Sequence, residues 1–261
     1  MKTRRLQDVE DYIHDRKKVS LDELCEQFCV SKNTIRRDIG LLLQKGTIGK
    51  VYGGVVSQTQ VSAFENRDAS RQPDKAGIAR AGAALVMPHD IIFIDSGTTT
   101  RYLTECLDPA MPLTILTNSL DIINGAAALP QAELVVIGSR FRRRTRSFVG
   151  ILPEELDRYN INKAFMATTG VSIAHGLTNL DLMEHEIKKQ VAAKAESLLL
   201  LADPSKFGRS TLLTYASLAE IDTLVTSQLP PEEYVRFCRQ HGVRLIVTGE
   251  EEKRSAAEVT S

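Results

Sequence analysis

The apolar positions of the chain follow two regimes. Up to about residue 57 they recur at helical spacing. Leu6, Val9 and Ile13 form a stripe that predicts a helix over 3–16, Leu21, Leu24 and Phe28 predict a second, and Ile35, Ile39 and Leu42 predict a third. From residue 75 the apolar positions collect instead into short runs, at 91–94, 113–116, 134–137, 163–166, 198–201, 221–226 and 244–247, with helical stretches between them. Short apolar runs alternating with helices predict strands buried on both faces, hence an α/β domain built on a mostly parallel sheet. Residues 58–74 are polar and without period and read as a linker. The expected organisation is a winged helix-turn-helix head over 1–57, the linker, an α/β domain over 75–250 and a polar tail over 251–261.

The ends of the head's helices are marked. Ser20-Leu21-Asp22-Glu23 is a capping box, with Val19 and Leu24 placed as a hydrophobic staple. Ser31 is the N-cap expected for the third helix, and Gly46 the glycine that ends it. Ile35, Ile39 and Leu42 face inward, so Lys32, Asn33, Arg36 and Arg37 fall on the opposite face, beside Ser31 and Thr34 at the helix opening. Amides and guanidinium groups of this kind read adenine and guanine edges in a major groove and grip phosphates. A basic helix face is more often merely solvated. Here the preceding helix and tight turn make a helix-turn-helix, and residues 47–55 add a hairpin-like stretch that puts Lys50 and Tyr52 on one side, a wing beside the backbone.

Composition changes the picture little: 43% of residues are hydrophobic, 25% charged, and the net charge is zero. Its distribution says more. Residues 1–57 carry eleven Lys/Arg against eight Asp/Glu, so a basic head precedes a mildly acidic body, as expected of a DNA-binding module joined to another domain. No apolar run has membrane-span length and no signal-like core opens the chain, so a cytoplasmic protein without membrane contact is expected. Cys25 and Cys29 sit four apart, but no second ligand pair follows, so no metal is expected; nor is any cofactor.

In the second domain several strands run into small hydroxylated residues. Ser96-Gly97-Thr98-Thr99-Thr100 offers backbone N–H groups and hydroxyls to one anion, a phosphate cradle. It lacks the endings of a nucleotide P-loop or a dinucleotide turn. Thr117-Asn118-Ser119 makes a second such turn. Each alone reads as helix capping; two at neighbouring strand ends point to a small phosphorylated ligand. Arg140, Arg142, Arg143, Arg144 and Arg146 crowd one short segment, most often the mark of a solvated basic loop, the alternative being a contact to a polyanionic effector or to DNA.

On these residues the chain resembles the DeoR family of bacterial transcriptional regulators. The head carries Val30-Ser31, Thr34-Ile35-Arg36-Arg37-Asp38, Gly46 and Tyr52-Gly53-Gly54; the body carries Asp95-Ser96-Gly97-Thr98-Thr99, Thr117-Asn118-Ser119, Gly176-Leu177-Thr178 and 201–208, Leu-Ala-Asp-Pro-Ser-Lys-Phe-Gly. Lys50 stands where the family usually has Arg, keeping charge without the planar fork. The resemblance implies a repressor of a carbohydrate-utilisation operon, bound to operator DNA as a homo-oligomer and relieved by a phosphorylated sugar or related metabolite. It places the DNA contacts at Ser31, Lys32, Asn33, Thr34, Arg36, Arg37, Lys50 and Tyr52. It places the effector contacts at Asp95, Ser96, Gly97, Thr98, Thr99, Thr100, Asn118, Ser119, Asp203 and Lys206. Such sensor domains also resemble ribose 5-phosphate isomerases, so the rival reading is an enzyme with a DNA-binding head. Isomerisation needs a carboxylate that moves a proton between adjacent carbons. Thr168-Thr169-Gly170 offers none, and Asp203 beside Lys206 reads as an ion pair or anion site. No catalytic residue is assigned.

Overall fold

The structure is a computed structural model and describes residues 2–16, 18–45, 48–51, 53–57, 72–151 and 153–248. Its contacts divide the chain into two units, residues 1–63 and 64–261. The first holds α1 (Lys2–Arg16), β1 (Lys18–Ser20), α2 (Leu21–Phe28), α3 (Lys32–Lys45), β2 (Ile48–Val51) and β3 (Gly54–Ser57). The three apolar stripes meet in one core, where Val9, Ile13, Leu24, Ile35, Ile39 and Leu42 are buried. Ser20 caps α2 by accepting from the Glu23 N–H at 3.1 Å. Ser31 does the same for α3, accepting from the Thr34 N–H at 3.3 Å.

The wing is larger than a hairpin. β1 joins it, giving an antiparallel sheet in the order β1-β3-β2 with Val19 opposite Val55. Three residues are too few to show an alternating period, which is why the sequence hid this strand. The same sheet explains Gly54: a Cβ there would lie 2.2 Å from the Val19 carbonyl oxygen, so only glycine fits between β3 and β1. The expectations for Gly46 and Tyr52 lie outside the described residues.

The second unit opens with α4 (Gln72–Ala83), then β4 (Ile91–Ile94), a 3-10 turn (Thr100–Tyr102), α5 (Leu103–Cys106), β5 (Leu113–Thr117), α6 (Leu120–Ala126) and β6 (Ala132–Val136). A hairpin, β7 (Arg140–Arg142) and β8 (Ser147–Val149), and α7 (Pro153–Asp157) follow. Then come β9 (Lys163–Met166), β10 (Gly170–Ser172), β11 (Gly176–Asn179), α8 (Leu182–Lys194), β12 (Ser197–Leu201), a 3-10 turn (Pro204–Lys206), β13 (Leu213–Ala216), β14 (Thr223–Thr226), α9 (Glu232–His241) and β15 (Arg244–Val247). All seven apolar runs are strands of one parallel sheet, in the order β15-β14-β12-β9-β4-β5-β6. Its two faces carry separate cores, one around Phe93, Met166 and Leu200, the other around Ile92, Phe165 and Leu201. A smaller antiparallel sheet, β10-β11-β13, was not expected, because its strands are only three or four residues long.

The strand order places the site. From β4 the chain builds outward through β5 and β6, then returns to lay β9 on the other side of β4 and builds outward again through β12 and β14. The loops beyond the carboxyl ends of β4 and β9 therefore leave in opposite directions and open a crevice, where ligands of open parallel sheets bind. Gly97 lets the two loops meet there: a Cβ on it would lie 2.2 Å from the Ala167 Cβ.

Candidate functional site

In the head, Ser31, Lys32, Asn33, Arg36 and Arg37 are exposed on one side of α3, while Ile35 and Asp38 are buried. Thr34 is half-buried, and its hydroxyl is 2.9 Å from that of Ser31. The helix motif thus divides by role. Asp38 is 2% exposed and takes the fork of Arg5 on α1, with Nε 3.0 Å from Oδ2 and Nη2 3.3 Å from Oδ1, so it fixes the angle between α1 and α3. Arg36 and Arg37 are left outward. Lys50 is exposed on β2.

Lys32 is paired: its Nζ lies 2.5 Å from Asp22 Oδ1 on α2, and this contact raises the lysine's pKa. Both side chains are exposed, so the pair is screened by salt. A phosphate that claims Lys32 must compete with Asp22. Asp22→Asn is therefore expected to tighten operator binding several-fold at low salt, with the gain fading as ionic strength rises. Fluorescence anisotropy across a salt series checks it; unchanged or weaker binding at low salt would remove Lys32 from the interface.

In the second unit a cleft opens where the sheet order reverses. Ser96, Gly97, Thr98 and Thr99 line it from the loop after β4, and Ala167, Thr168 and Thr169 from the loop after β9. Lys206 comes from the turn after β12, Asn179 from the end of β11, and Glu184 and Lys188 from α8. Lys188 is 5% exposed and forms an ion pair with Asp95 Oδ2, and it also donates to the Ala167 carbonyl at 2.9 Å. The Tyr215 hydroxyl donates to the same carbonyl at 3.0 Å. Burial, and then the Asp95 carboxylate, push the Tyr215 phenol well above its usual pKa, so it stays a donor. Glu184 accepts on Oε1 from Ser96 Oγ at 3.1 Å and from Ser147 Oγ at 2.7 Å.

Of the expected effector residues, Ser96, Gly97, Thr98, Thr99 and Lys206 line the cleft. The others stand behind it. Asp95 is 1% exposed; besides Lys188 it accepts from the Ala167 N–H at 2.9 Å, so it ties the two loops together. Thr100 is fully buried, with its hydroxyl donating to the Asp95 carbonyl at 2.6 Å and accepting from the Gly97 N–H at 3.0 Å. Asn118 donates to the Phe148 carbonyl at 3.1 Å, and Ser119 caps α6 through the Ile122 N–H at 3.4 Å. Asp203 caps the turn that carries Lys206, accepting from the Ser205 N–H at 2.9 Å, with Lys206 Nζ 3.9 Å from its other oxygen. Burial pushes the Asp203 carboxyl up, but Lys206, the two Ser205 hydrogen bonds and Lys75 together hold it below its usual value. The second hydroxylated turn belongs to β5, on the far side of β4 from β9; it does not share the cleft.

The arginine run is not a free loop. It forms the β7–β8 hairpin, fastened by Arg142 to Asp181 at 3.1 Å and by Arg146 to Asp121 at 2.7 Å. Asp181 is the N-cap of α8. Thr168-Thr169-Gly170 supplies no carboxylate, as expected, but Glu184 on α8 brings one to the cleft that the sequence reading did not assign. The sequence did hold a signal. Positions 184, 187, 188 and 191 keep core spacing on α8, so a glutamate and a lysine sit in the stripe of Ile187 and Val191. Among the described residues no group of three or more His, Cys, Asp or Glu is placed to hold a metal ion, and no helix is long and apolar enough to cross a membrane.

The DeoR-like helix-turn-helix domain matches residues 5–61, and the DeoR C terminal sensor domain matches residues 70–228. The chain is 54% identical over 246 residues to the HTH-type transcriptional regulator IolR of Bacillus subtilis (strain 168), covering 93% of this chain and 98% of that one. It is 27% identical to the HTH-type transcriptional repressor GlcR of the same organism, over 95% and 97% of the two chains. It is 26% identical to the glycerol-3-phosphate regulon repressor of Escherichia coli (strain K12), over 87% and 91%. Among solved structures it is similar to ribose 5-phosphate isomerase A from Methanocaldococcus jannaschii, with 19% identity, a TM-score of 0.40 and coverage of 53% and 55% of the two chains. With both domains matched in order and full-length relatives named as regulators, the chain belongs to the DeoR family of DNA-binding transcriptional regulators.

Proposed function

We propose that this regulator represses a carbohydrate-utilisation operon and leaves its operator when a phosphorylated sugar or related metabolite enters the cleft. The observation that carries this reading is the cleft itself: Ser96–Thr99 and Lys206 line one crevice at the sheet's reversal point. A lysine is a compact point charge suited to a phosphate. One relative is named for a phosphorylated three-carbon polyol, which agrees with such an effector. In this reading Ser31, Lys32, Asn33, Thr34, Arg36 and Arg37 meet the operator's major groove, and Lys50 its backbone. The protein works in the cytoplasm as a homo-oligomer, because helix-turn-helix proteins bind paired half-sites through paired heads. Residues 58–74 link the head to the sensor.

A ligand shifts an equilibrium only through differential affinity for its two states. Lys206→Ala should therefore bind operator as the parent does but need at least about tenfold more effector for release, the effect of removing one charge-assisted hydrogen bond. A melting-temperature screen against sugar phosphates finds the effector, since ligand at about 100 times its Kd adds roughly 2.7 kcal/mol. Operator affinity is then titrated with that compound. If no sugar phosphate changes either melting or operator affinity, the proposed effector class is wrong.

A further inference from the structure

We infer that the β7–β8 hairpin is a second DNA contact of this regulator, in which Arg140, Arg143 and Arg144 grip the phosphate backbone outside the site taken by the helix-turn-helix. Five of the 22 Lys/Arg beyond residue 57 fall between positions 140 and 146, although that part of the chain carries 25 Asp/Glu. The structure divides the five by role. Arg142 and Arg146 are spent on Asp181 and Asp121. Arg140, Arg143 and Arg144 are exposed, and among the described residues their side chains have no hydrogen bond or ion pair. Arg143 and Arg144 stand in the turn at the hairpin's tip, and Arg140 opens its first strand.

The backbone under these three cations is fastened. Phe141 stands opposite Phe148 across the two strands, with ring centroids 5.2 Å apart, a cross-strand aromatic pair. At the base, Ser139 Oγ donates to the Gly150 carbonyl at 2.8 Å. Arg146 takes a left-handed φ of 53° at the end of the turn, and its guanidinium meets Asp121 Oδ1 at 2.7 Å and Oδ2 at 3.0 Å. A hairpin held at its base, its middle and its turn loses little further freedom when it binds, so its free charges are not offset by the entropy of ordering a loop. All five cations are arginines, whose planar fork matches a phosphate, and none is a lysine. The occupant is DNA because hairpin and helix-turn-helix belong to one chain. A head seated on a duplex presents the phosphates of that duplex to the sensor unit at high effective concentration. Phosphate contacts carry no sequence information, so the hairpin adds affinity for operator and unrelated DNA alike.

The test is fluorescence anisotropy of the full-length protein on an unrelated duplex of about 40 base pairs across a salt series, where each phosphate contact adds about 0.9 to the slope of log affinity against log salt. Arg140→Gln, Arg143→Gln and Arg144→Gln together should lower that slope by about two to three and weaken binding at least about tenfold at low salt. Lysine at the same three positions should restore most of both, since a phosphate also accepts a point charge. A control triple, Arg158→Gln, Arg239→Gln and Arg244→Gln, removes the same charge from other exposed positions of the sensor unit and should leave the slope within about half a unit of the parent's. The tip pair alone, Arg143→Gln with Arg144→Gln, should lower the slope by about one to two and carries the test if the triple variant melts below the parent. A hairpin variant whose slope and affinity match the parent's, or a control triple that loses as much as the hairpin triple, overturns the inference. So does a loss of DNA binding that sedimentation shows to accompany dissociation of the protein, because the arginines would then join copies of the chain.

Discussion

Lys188→Met is expected to destabilise the sensor unit by about 3–5 kcal/mol, the usual cost of breaking a buried ion pair from one side. Lys188 and Asp95 are 5% and 1% exposed, and the pair joins α8 to the end of β4 across the floor of the cleft. Removing the lysine leaves a carboxylate with one oxygen on the Ala167 N–H and the other without a hydrogen bond among the described residues. The Ala167 carbonyl loses one of its two donors as well. At roughly 2–4 °C of melting temperature per kcal/mol for a unit of this size, the shift should be large in a thermal melt. The double replacement Lys188→Met with Asp95→Leu should be less damaging than the single one, because no charge is left buried alone. A single variant that loses under about 1 kcal/mol, the level of an exposed pair, would show that the two charges are not sealed together.

Replacing Arg36 and Arg37 together with alanine is expected to abolish selective operator binding. Removing a hydrogen bond to a base edge costs about 1–3 kcal/mol and relaxes preference at that position, while removing a cation from a phosphate lowers the salt slope by about one. The fold should not suffer, since both side chains are exposed on α3 and the neighbouring Asp38 keeps its bond to Arg5. Circular dichroism and a melt establish that the variant is folded; competition between operator and unrelated DNA then measures selectivity. A folded double variant that still prefers operator to the parent's degree would refute the assignment of α3 as the reading helix.

The two halves of the molecule differed in how far their sequence could be read. In the head, most of the proposed DNA contacts sit on a single element. Ser31 caps, Ile35 and Ile39 face inward, and Arg36 and Arg37 face out, all fixed by the helical period of α3, so local pattern was enough. What the pattern could not give was partnership. That Asp38 is spent on Arg5 and Lys32 is held by Asp22 depends on α1 and α2 lying against α3, packing that no spacing within α3 records.

In the sensor unit the sequence by itself determined the strands, since a run of buried apolar residues is legible without knowing its neighbours. It also marked the loop at Ser96–Thr99 and the turn bearing Lys206 as places where strands end in polar chemistry. Only the tertiary structure decided which strand ends meet. The order of the sheet sets β9 and β12 on one side of β4 and sends β5 to the other, so Ala167–Thr169 joined the cleft while the turn at Asn118 and Ser119 lies across β4 from them. The same long-range packing brought in Glu184 and Lys188. Along α8 they occupy positions of a core stripe, and a charge in such a stripe acquires a meaning only when its partner is known. Asp95 lies 93 residues from Lys188, and Ser147 lies 37 from Glu184. Periodicity reports which face of an element is buried; the identity of what it is buried against is settled by the topology of the whole sheet.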